Sequence, residues 1–418
     1  MPATKNSGEL TTLDKKICSA YAAWVISGGD HQESIVNSLN GLSQCAGFDQ
    51  ALAHWQTITK STVTTSKKEA KRLKLIRESF DVQGMDKHDP KLRKLVDHAL
   101  FVDVTLDQAL RTLGSNALKE VLVVPEASKF EEFCAHRLLL LMAGATTIGV
   151  MWGRMVKVAI DALSHSCIYQ KLPGYIRCMP VSGEPSYMLN TEADIFESPA
   201  DFSASVLAKN LANNLRFFQG KTVNRQPMPS LLGVACYVGG AKKQDSQNGW
   251  QTERESVMNN IKSYPGWQAI FGENGMAKEM DMLITGIGHV SNEGGDASKF
   301  GMFIKERSAL EDLTPACMQR LCHGDLAGTL LIKKGLNSTD QKIAENLNHG
   351  WTGLKESDLR RISRKSPGVV LICEGKSKAE VVAEAVRSNL VTRLICDRPL
   401  RDALLELLQP PSKRKRHP

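Results

Sequence analysis

The segment Thr147-Ile-Gly-Val-Met-Trp-Gly-Arg-Met-Val-Lys-Val-Ala-Ile-Asp-Ala-Leu163 decides how the chain folds. Residues 147–150 form a short apolar run that predicts a buried strand, followed by a tight Gly149-x-x-x-Gly153-Arg154 loop. Val156, Ile160 and Leu163 recur at i, i+4 and i+7, which places them on one face of a helix. A strand that turns into a helix this way aims backbone N–H groups and the positive helix end above the sheet, and Arg154 adds a guanidinium fork. That is the chemistry of a phosphate or carboxylate cradle. Two glycines between a strand and a helix also occur where nothing binds, so the loop alone leaves both readings open.

The surrounding sequence repeats the pattern. Apolar runs at 121–125, 147–150, 231–238, 282–287, 369–373 and 391–396 predict strands, and helical stretches separate them. Strands alternating with helices predict an α/β domain built on a parallel sheet with helices on its faces. Val369-Val-Leu-Ile-Cys373 is apolar throughout, as a strand covered on both faces should be. Ser377-x-x-Glu380 has the spacing of a capping box, with Val382, Ala385, Val386 and Asn389 continuing one face of the following helix. Residues 391–396 return as a second strand, giving a right-handed strand–helix–strand unit. Its loop, Glu374-Gly-Lys-Ser-Lys378, falls at a strand carboxyl end, where open parallel sheets hold their ligands.

A chain of 418 residues has room for two or three domains. With 42% apolar and 23% charged residues it has the balance of a soluble protein. No apolar run approaches the roughly 18–20 residues that span a bilayer. The opening Met-Pro-Ala-Thr-Lys has no apolar signal region, so a cytoplasmic location without membrane contact is expected. Ten cysteines lie scattered without a Cys-x-x-Cys pair, the nearest two being Cys317 and Cys322. That spacing predicts reduced core thiols, with no metal site and no cofactor.

The net charge of +8 is local. Lys60, Lys67, Lys68, Lys71, Arg72, Lys74 and Arg77 against Glu69 give +6, and Lys413–Arg416 adds +4, so the remainder carries about −2. Concentrated basic segments suit a polyanion such as DNA. Residues 1–12 are expected to be a disordered polar start and 13–84 a helical domain broken near Gly28-Gly29 and Ala46-Gly47. The turn-rich 84–90 serves as linker, 89–408 forms the α/β domain, and 409–418 is a basic tail, either a solubilising end or a nucleic-acid finger.

Five ordered motifs carry a resemblance. Ile148-Gly-Val-Met-Trp-Gly-Arg-Met155, Met179-Pro-Val-Ser-Gly183, Leu283-Ile-Thr-Gly-Ile-Gly288, Gly324-Asp-Leu-Ala-Gly328 and the stretch from Leu359-Arg-Arg-Ile-Ser to Gly375-Lys-Ser-Lys-Ala379 occur in family order, closed by 390–405. From about residue 89 to 408 the chain resembles the effector-binding domain of SorC-type, DeoR-like sugar-responsive transcriptional regulators. The resemblance implies a Rossmann-like, sugar-phosphate-isomerase-like parallel sheet with a carbohydrate or sugar-phosphate effector across the strand carboxyl ends, in a homo-oligomer. It implies that Gly153 and Arg154 face a phosphate, that Gly183, Gly286 and Gly288 permit close backbone approach, and that Asp325 accepts from sugar hydroxyls. Lys378 would supply a point charge, and Asp397 joins the implied effector set.

Several positions depart from the family pattern. Met151 and Met155 replace hydroxyl residues, Glu184 and Glu374 each replace a glycine, and Cys396-Asp397-Arg398 replaces the closing acidic triplet. Glu184 would repel a phosphate if it pointed inward. The pattern fits a less anionic ligand, or a scaffold whose pocket no longer binds one.

Family members carry an N-terminal helix-turn-helix that enters the major groove. Residues 20–44 partly resemble its opening helices, and Thr59 to Leu73 resembles a recognition helix at longer spacing than usual. Ser61, Thr62, Thr64 and Thr65 would cap a helix and bond phosphates, while Lys67, Lys68, Lys71 and Arg72 would neutralise them. The same residues also fit an ordinary helix with a solvated basic face. Three functions remain: a DNA-binding regulator controlled by a carbohydrate-like effector at an operator, a sugar-phosphate isomerase-like enzyme, or an interaction protein that has lost DNA binding. The enzyme would need a carboxylate base beside a cation, for which Asp325 with Lys378 is the nearest pair, with His289 and His323 as further loop candidates.

Overall fold

Apolar runs become strands where both of their faces can be covered. In the computed structural model these are β1 (Glu120–Val124), β2 (Thr147–Val150), β3 (Arg177–Pro180), β4 (Met282–Thr285), β8 (Gly368–Cys373) and β9 (Arg393–Asp397), in one parallel sheet of order β1-β9-β8-β4-β2-β3. A second, antiparallel sheet joins β5 (Ile287–His289), β6 (Cys322–Leu326) and β7 (Thr329–Ile332). The structure describes residues 103–124, 130–142, 144–164, 172, 175–185, 199–219, 228–240, 249–290 and 300–409. The chain divides into two units, Met1–Asp103 with His165–Lys171 and Val104–Ser164 with Leu172–Pro418, and the sheets belong to the second. The expected 13–84 helical domain lies outside the described residues, with Ser61, Thr62, Thr64, Thr65, Lys67, Lys68, Lys71 and Arg72.

Helices cover both faces of the large sheet. α1 (Val104–Arg111) packs against α12 (Arg398–Leu408), which packs on α11 (Ala379–Arg387). Their Leu106, Val382, Val386, Leu400 and Leu404 share one cluster with Val369, Leu371 and Cys373 of β8. Val370 and Ile372 alternate to the other face, as a period of two requires. There α2 (Phe130–Met142), α3 (Arg154–Leu163) and α4 (Ala204–Gln219) pack side by side. The face read from sequence on α3 is the buried one, with Ala159 added to Val156, Ile160 and Leu163. α5 (Gly249–Ser263), α6 (Pro265–Phe271), α7 (Met302–Leu310), α8 (Pro315–Leu321), α9 (Ser338–His349) and α10 (Glu356–Ser363) complete the described helices. Among the described residues no helix is long and apolar enough to cross a membrane.

Several local expectations need correction. The run at 282–287 splits at Gly286, so that β4 and β5 lie in different sheets. Residues 231–238 are no strand: Gly233 turns the chain at φ 74°, and only isolated bridges remain, Ala235 to Glu184 and Tyr237 to Trp351. Ser377 does not cap α11. It lies in a 3-10 turn, Lys376–Lys378, and Lys378 is the N-cap, with no side-chain capping bond. Asn389 ends the α11 face rather than extending it, because its φ of 59° reverses the chain. Its Oδ1 then accepts from the Asn116 and Ala117 N–H groups at 2.8 and 3.2 Å. β3, β6 and β7 are not among the strands expected from the sequence: β3 ends in Pro180, β6 contains Gly324, and β7 is only four residues long. Ala327 and Gly328 form the two-residue turn between β6 and β7, both left-handed (φ 49° and 79°), as a tight hairpin demands.

Candidate functional site

Strand order fixes where the sheet can hold a ligand. From β2 the chain goes outward to β3, whereas from β4 it goes to β8 on the opposite side, so their following loops diverge. A crevice at such a switch point, outside the strand carboxyl ends, is the usual ligand position of an open parallel sheet. β2 is followed there by Met151, Trp152 and Gly153, and β4 by Gly286. Gly153 is the N-cap of α3 at φ 150° and offers no side-chain cap, which leaves first-turn N–H groups open.

The sequence-predicted residues divide into two kinds. Gly288 and Asp325 are paired across β5 and β6, and a Cβ on Gly288 would lie 2.1 Å from Asp325 Oδ1. β5 also packs against the Lys376–Lys378 turn, bringing Gly288 and half-buried Lys378 to the same region. A Cβ on Gly286 would make only an ordinary contact, 3.9 Å from the Ile372 carbonyl oxygen. Arg154 is exposed and takes no partner among the described residues. Gly183 serves the chain itself, since a Cβ there would fall 2.1 Å from the Val234 carbonyl oxygen. Asp397 is likewise occupied by backbone: Oδ1 accepts from Leu400 N–H, and both oxygens lie 3.1 Å from the Gly375 N–H. It caps α12 and fastens the β8–α11 loop. Asp397→Ala is expected to lower unfolding free energy by about 1–2 kcal/mol, the cost of a lost cap, with Asp397→Ser intermediate in urea denaturation because serine can still cap.

Glu184 does not stand free. Its backbone is held on both sides, N–H to Val234 and carbonyl from Cys236, and Ser203 Oγ donates to its Oε1 at 2.6 Å. Burial raises its pKa, and the Ser203 bond opposes that shift. Glu374 is exposed, and Met151 is buried in the core.

The strongest chemistry lies around residues that the sequence did not single out. Arg307 of α7 is fully buried, with its guanidinium carbon 5.4 Å from the Tyr237 ring centre and 5.1 Å from that of Trp351. Cation–π contact at this range, away from water, is strongly stabilising. Arg307 Nη2 donates to the Gly328 carbonyl, while the Gly328 N–H donates to Asp325 Oδ2 at 3.0 Å. One residue, through its two flanking peptide groups, thus holds both guanidinium and carboxylate. Burial pushes Asp325 up to about 6, and Arg307 pulls it back. Burial lowers Arg307, and Asp325 opposes this. Trp152 edges onto Phe303 at 5.6 Å, and Phe303 onto Trp351 at 4.9 Å, so an aromatic ladder joins the β2 loop to the Arg307 side chain. Four buried polar atoms on these side chains have no partner: Trp152 Nε1, Arg307 Nε and Nη1, and Asp325 Oδ1. The sequence signal for Arg307 is its position four residues after Phe303, which puts a cation on an apolar helix face.

Asp325 makes stability depend on pH. Its folded pKa of about 6 exceeds the ordinary 3.8, so folding favours its protonated form. The contribution is complete below about pH 4 and disappears as pH rises through about 6, a loss of roughly 3 kcal/mol. Asp325→Asn should flatten the urea midpoint between pH 4 and 7. A variant profile parallel to that of the unmodified chain would rule out Asp325 as the titrating group.

No family model matches the sequence, and no curated protein matches it. Solved structures do match. The full-length sorbitol operon regulator SorC from Klebsiella pneumoniae has a TM-score of 0.46 at 16% identity, over 90% of this chain and 99% of that one. A transcriptional regulator from Streptococcus pneumoniae TIGR4 has a TM-score of 0.47 at 16% identity, covering 72% and 96%. A DeoR family transcriptional regulator from Listeria monocytogenes gives 0.44 at 15%, covering 72% and 98%. The chain is similar in structure to domains of SorC- and DeoR-family regulators.

Proposed function

We propose that the chain is a DNA-binding transcriptional regulator whose C-terminal domain binds a carbohydrate-like effector. The observation that carries the effector half is the group of buried, unpartnered atoms on Trp152, Arg307 and Asp325. A buried polar atom left unpaired costs about 1–3 kcal/mol, so a group of them beside aromatic rings marks a place that a polar ligand completes. Sugar hydroxyls donate to Asp325 Oδ1 and accept from Arg307 and Trp152, and C–H faces of the ligand suit the Trp152 and Phe303 rings. The DNA half is supported by the basic segment from Lys60 to Arg77, where Ser61, Thr62 and Thr64 accompany Lys67, Lys68, Lys71 and Arg72. Effector and DNA then compete or cooperate through a shift between subunit arrangements of a homo-oligomer.

Fluorescence anisotropy of the full chain tests this reading, using duplex from its own upstream region beside scrambled duplex at two salt concentrations, with and without sugars and polyols. Selective, salt-sensitive binding that a carbohydrate shifts is the expected result. Equal binding to both duplexes, unmoved by any carbohydrate, overturns it. Alanine at Lys67, Lys68, Lys71 and Arg72 together should abolish DNA retention, and unchanged retention would remove that segment from the DNA contact.

A further inference from the structure

We infer that effector binding is coupled to a proton: a ligand hydroxyl fixes Asp325 as a carboxylate, expels the proton that the empty site holds there, and so binds more tightly as pH rises. The inference rests on the carbohydrate-effector reading and names how the same site is regulated.

The number of donors around Asp325 decides its charge. The side chain is buried, and its Oδ2 accepts from the Gly328 N–H at 3.0 Å. Oδ1 has no partner. The chain cannot supply one from β5, because any Cβ at Gly288 would fall 2.1 Å from Oδ1. Arg307 lends its charge but spends Nη2 on the Gly328 carbonyl, and its Nε and Nη1 are unpartnered too. A buried carboxylate short of donors is better held as the neutral acid. The electrostatics agree, since burial pushes Asp325 up to about 6 against the pull of Arg307. A ligand hydroxyl supplies the missing donor to Oδ1, and ligand oxygens accept from Arg307. The occupied site therefore favours the carboxylate. The proton passes from Asp325 to water, and the ligand O–H bond stays intact.

Each element packed on β6 brings its own titratable groups. α7 presents Arg307, with Lys305 and Glu306 beside it in sequence. On β6 itself, burial pushes the Cys322 thiol up to about 12, so it stays neutral beside Asp325. His323, the next residue, is lowered by burial and by Lys333, and it feels Glu384, Glu380 and Arg387 of α11. α8 brings Arg320, whose guanidinium is held by Asp340 at 2.8 and 2.9 Å. β5 brings His289, in register with Gly324, and the turn packed on β5 brings Lys378. β7 is Thr-Leu-Leu-Ile and brings none. His323 is thus the other group near Asp325 that titrates close to neutrality, and a variant must separate the two.

Calorimetric titration of the full chain with D-mannitol, D-glucose, D-fructose and D-ribose, beside a glucose sulfate ester, tests the inference at about pH 5, 6 and 8. Each pH is run in two buffers of different ionisation heat, which counts the protons exchanged. None of these compounds titrates in that range, so every proton counted comes from the protein. Affinity should rise about five- to tenfold from pH 5 to pH 8, with about half a proton released per ligand near pH 6. Asp325→Asn should bind, if more weakly, without that pH dependence or proton release. An affinity that is flat or falls with pH, or a proton taken up on binding, overturns the inference and leaves the carbohydrate reading in place. So does a pH dependence retained in a folded Asp325→Asn, which assigns the proton to another group such as His323. Binding of none of the compounds at any pH overturns both. The proton count on the unmodified chain needs no variant, so it decides the matter even if Asp325→Asn fails to fold.

Discussion

Gly328→Ala is expected to lower the unfolding free energy by about 3–4 kcal/mol, combining roughly 1–2 for a left-handed alanine with roughly 1–3 for overpacking. The added Cβ would fall 1.9 to 2.4 Å from three atoms of the Trp351 ring, at a φ of 79°. Trp351 cannot retreat, because it is fully buried between Phe303 and the Arg307 guanidinium. The same residue's N–H and carbonyl hold Asp325 and Arg307, so effector binding should fall together with stability. Ala327→Gly, at the adjacent left-handed position, is the control and should shift stability by less than about 1 kcal/mol. Urea denaturation of both variants decides the point: equal midpoints would mean that the ring, rather than the turn, gives way.

Arg307→Met should cost about 3–5 kcal/mol, the range for breaking a buried charge pair. Methionine fills much of the space between Tyr237 and Trp351 but leaves Asp325 buried without its compensating cation and the Gly328 carbonyl without a donor. Because Arg307 holds Asp325 down, its loss moves that carboxyl further above about 6. The variant's deficit should therefore shrink on acidification, as Asp325 takes up its proton. Adding Asp325→Asn should recover part of the loss at pH 8 and little at pH 5. Additive losses in the double variant at pH 8 would mean that the two side chains do not act as a pair.

The large sheet was legible because its strands are buried on both faces, and a continuous apolar run such as 369–373 has few other uses. The α3 face was legible from its spacing alone. The small sheet was not: β6 contains Cys322-His-Gly-Asp, and its pairing depends on a hairpin turn whose left-handed residue Ala327 carries no turn signature. In the site, motif spacing led to Asp325 and to the β2 loop. It could not find Arg307 or Trp351, because they reach the same place from α7 and from the segment after α9. Asp397 looked like a ligand residue because a cap and a ligand contact demand the same carboxylate.

Gly183, Gly288 and Gly328 each face a neighbour that would collide with any Cβ: the Val234 carbonyl, the Asp325 carboxylate and the Trp351 ring. Selection for folding alone would preserve all three, whatever the pocket held. The glycine motifs of this chain can therefore persist through changes of effector, while on the proposed reading the side chains that meet a ligand are Arg307 and Asp325. Related sequences that share the glycines but differ at those two positions should respond to chemically different small molecules.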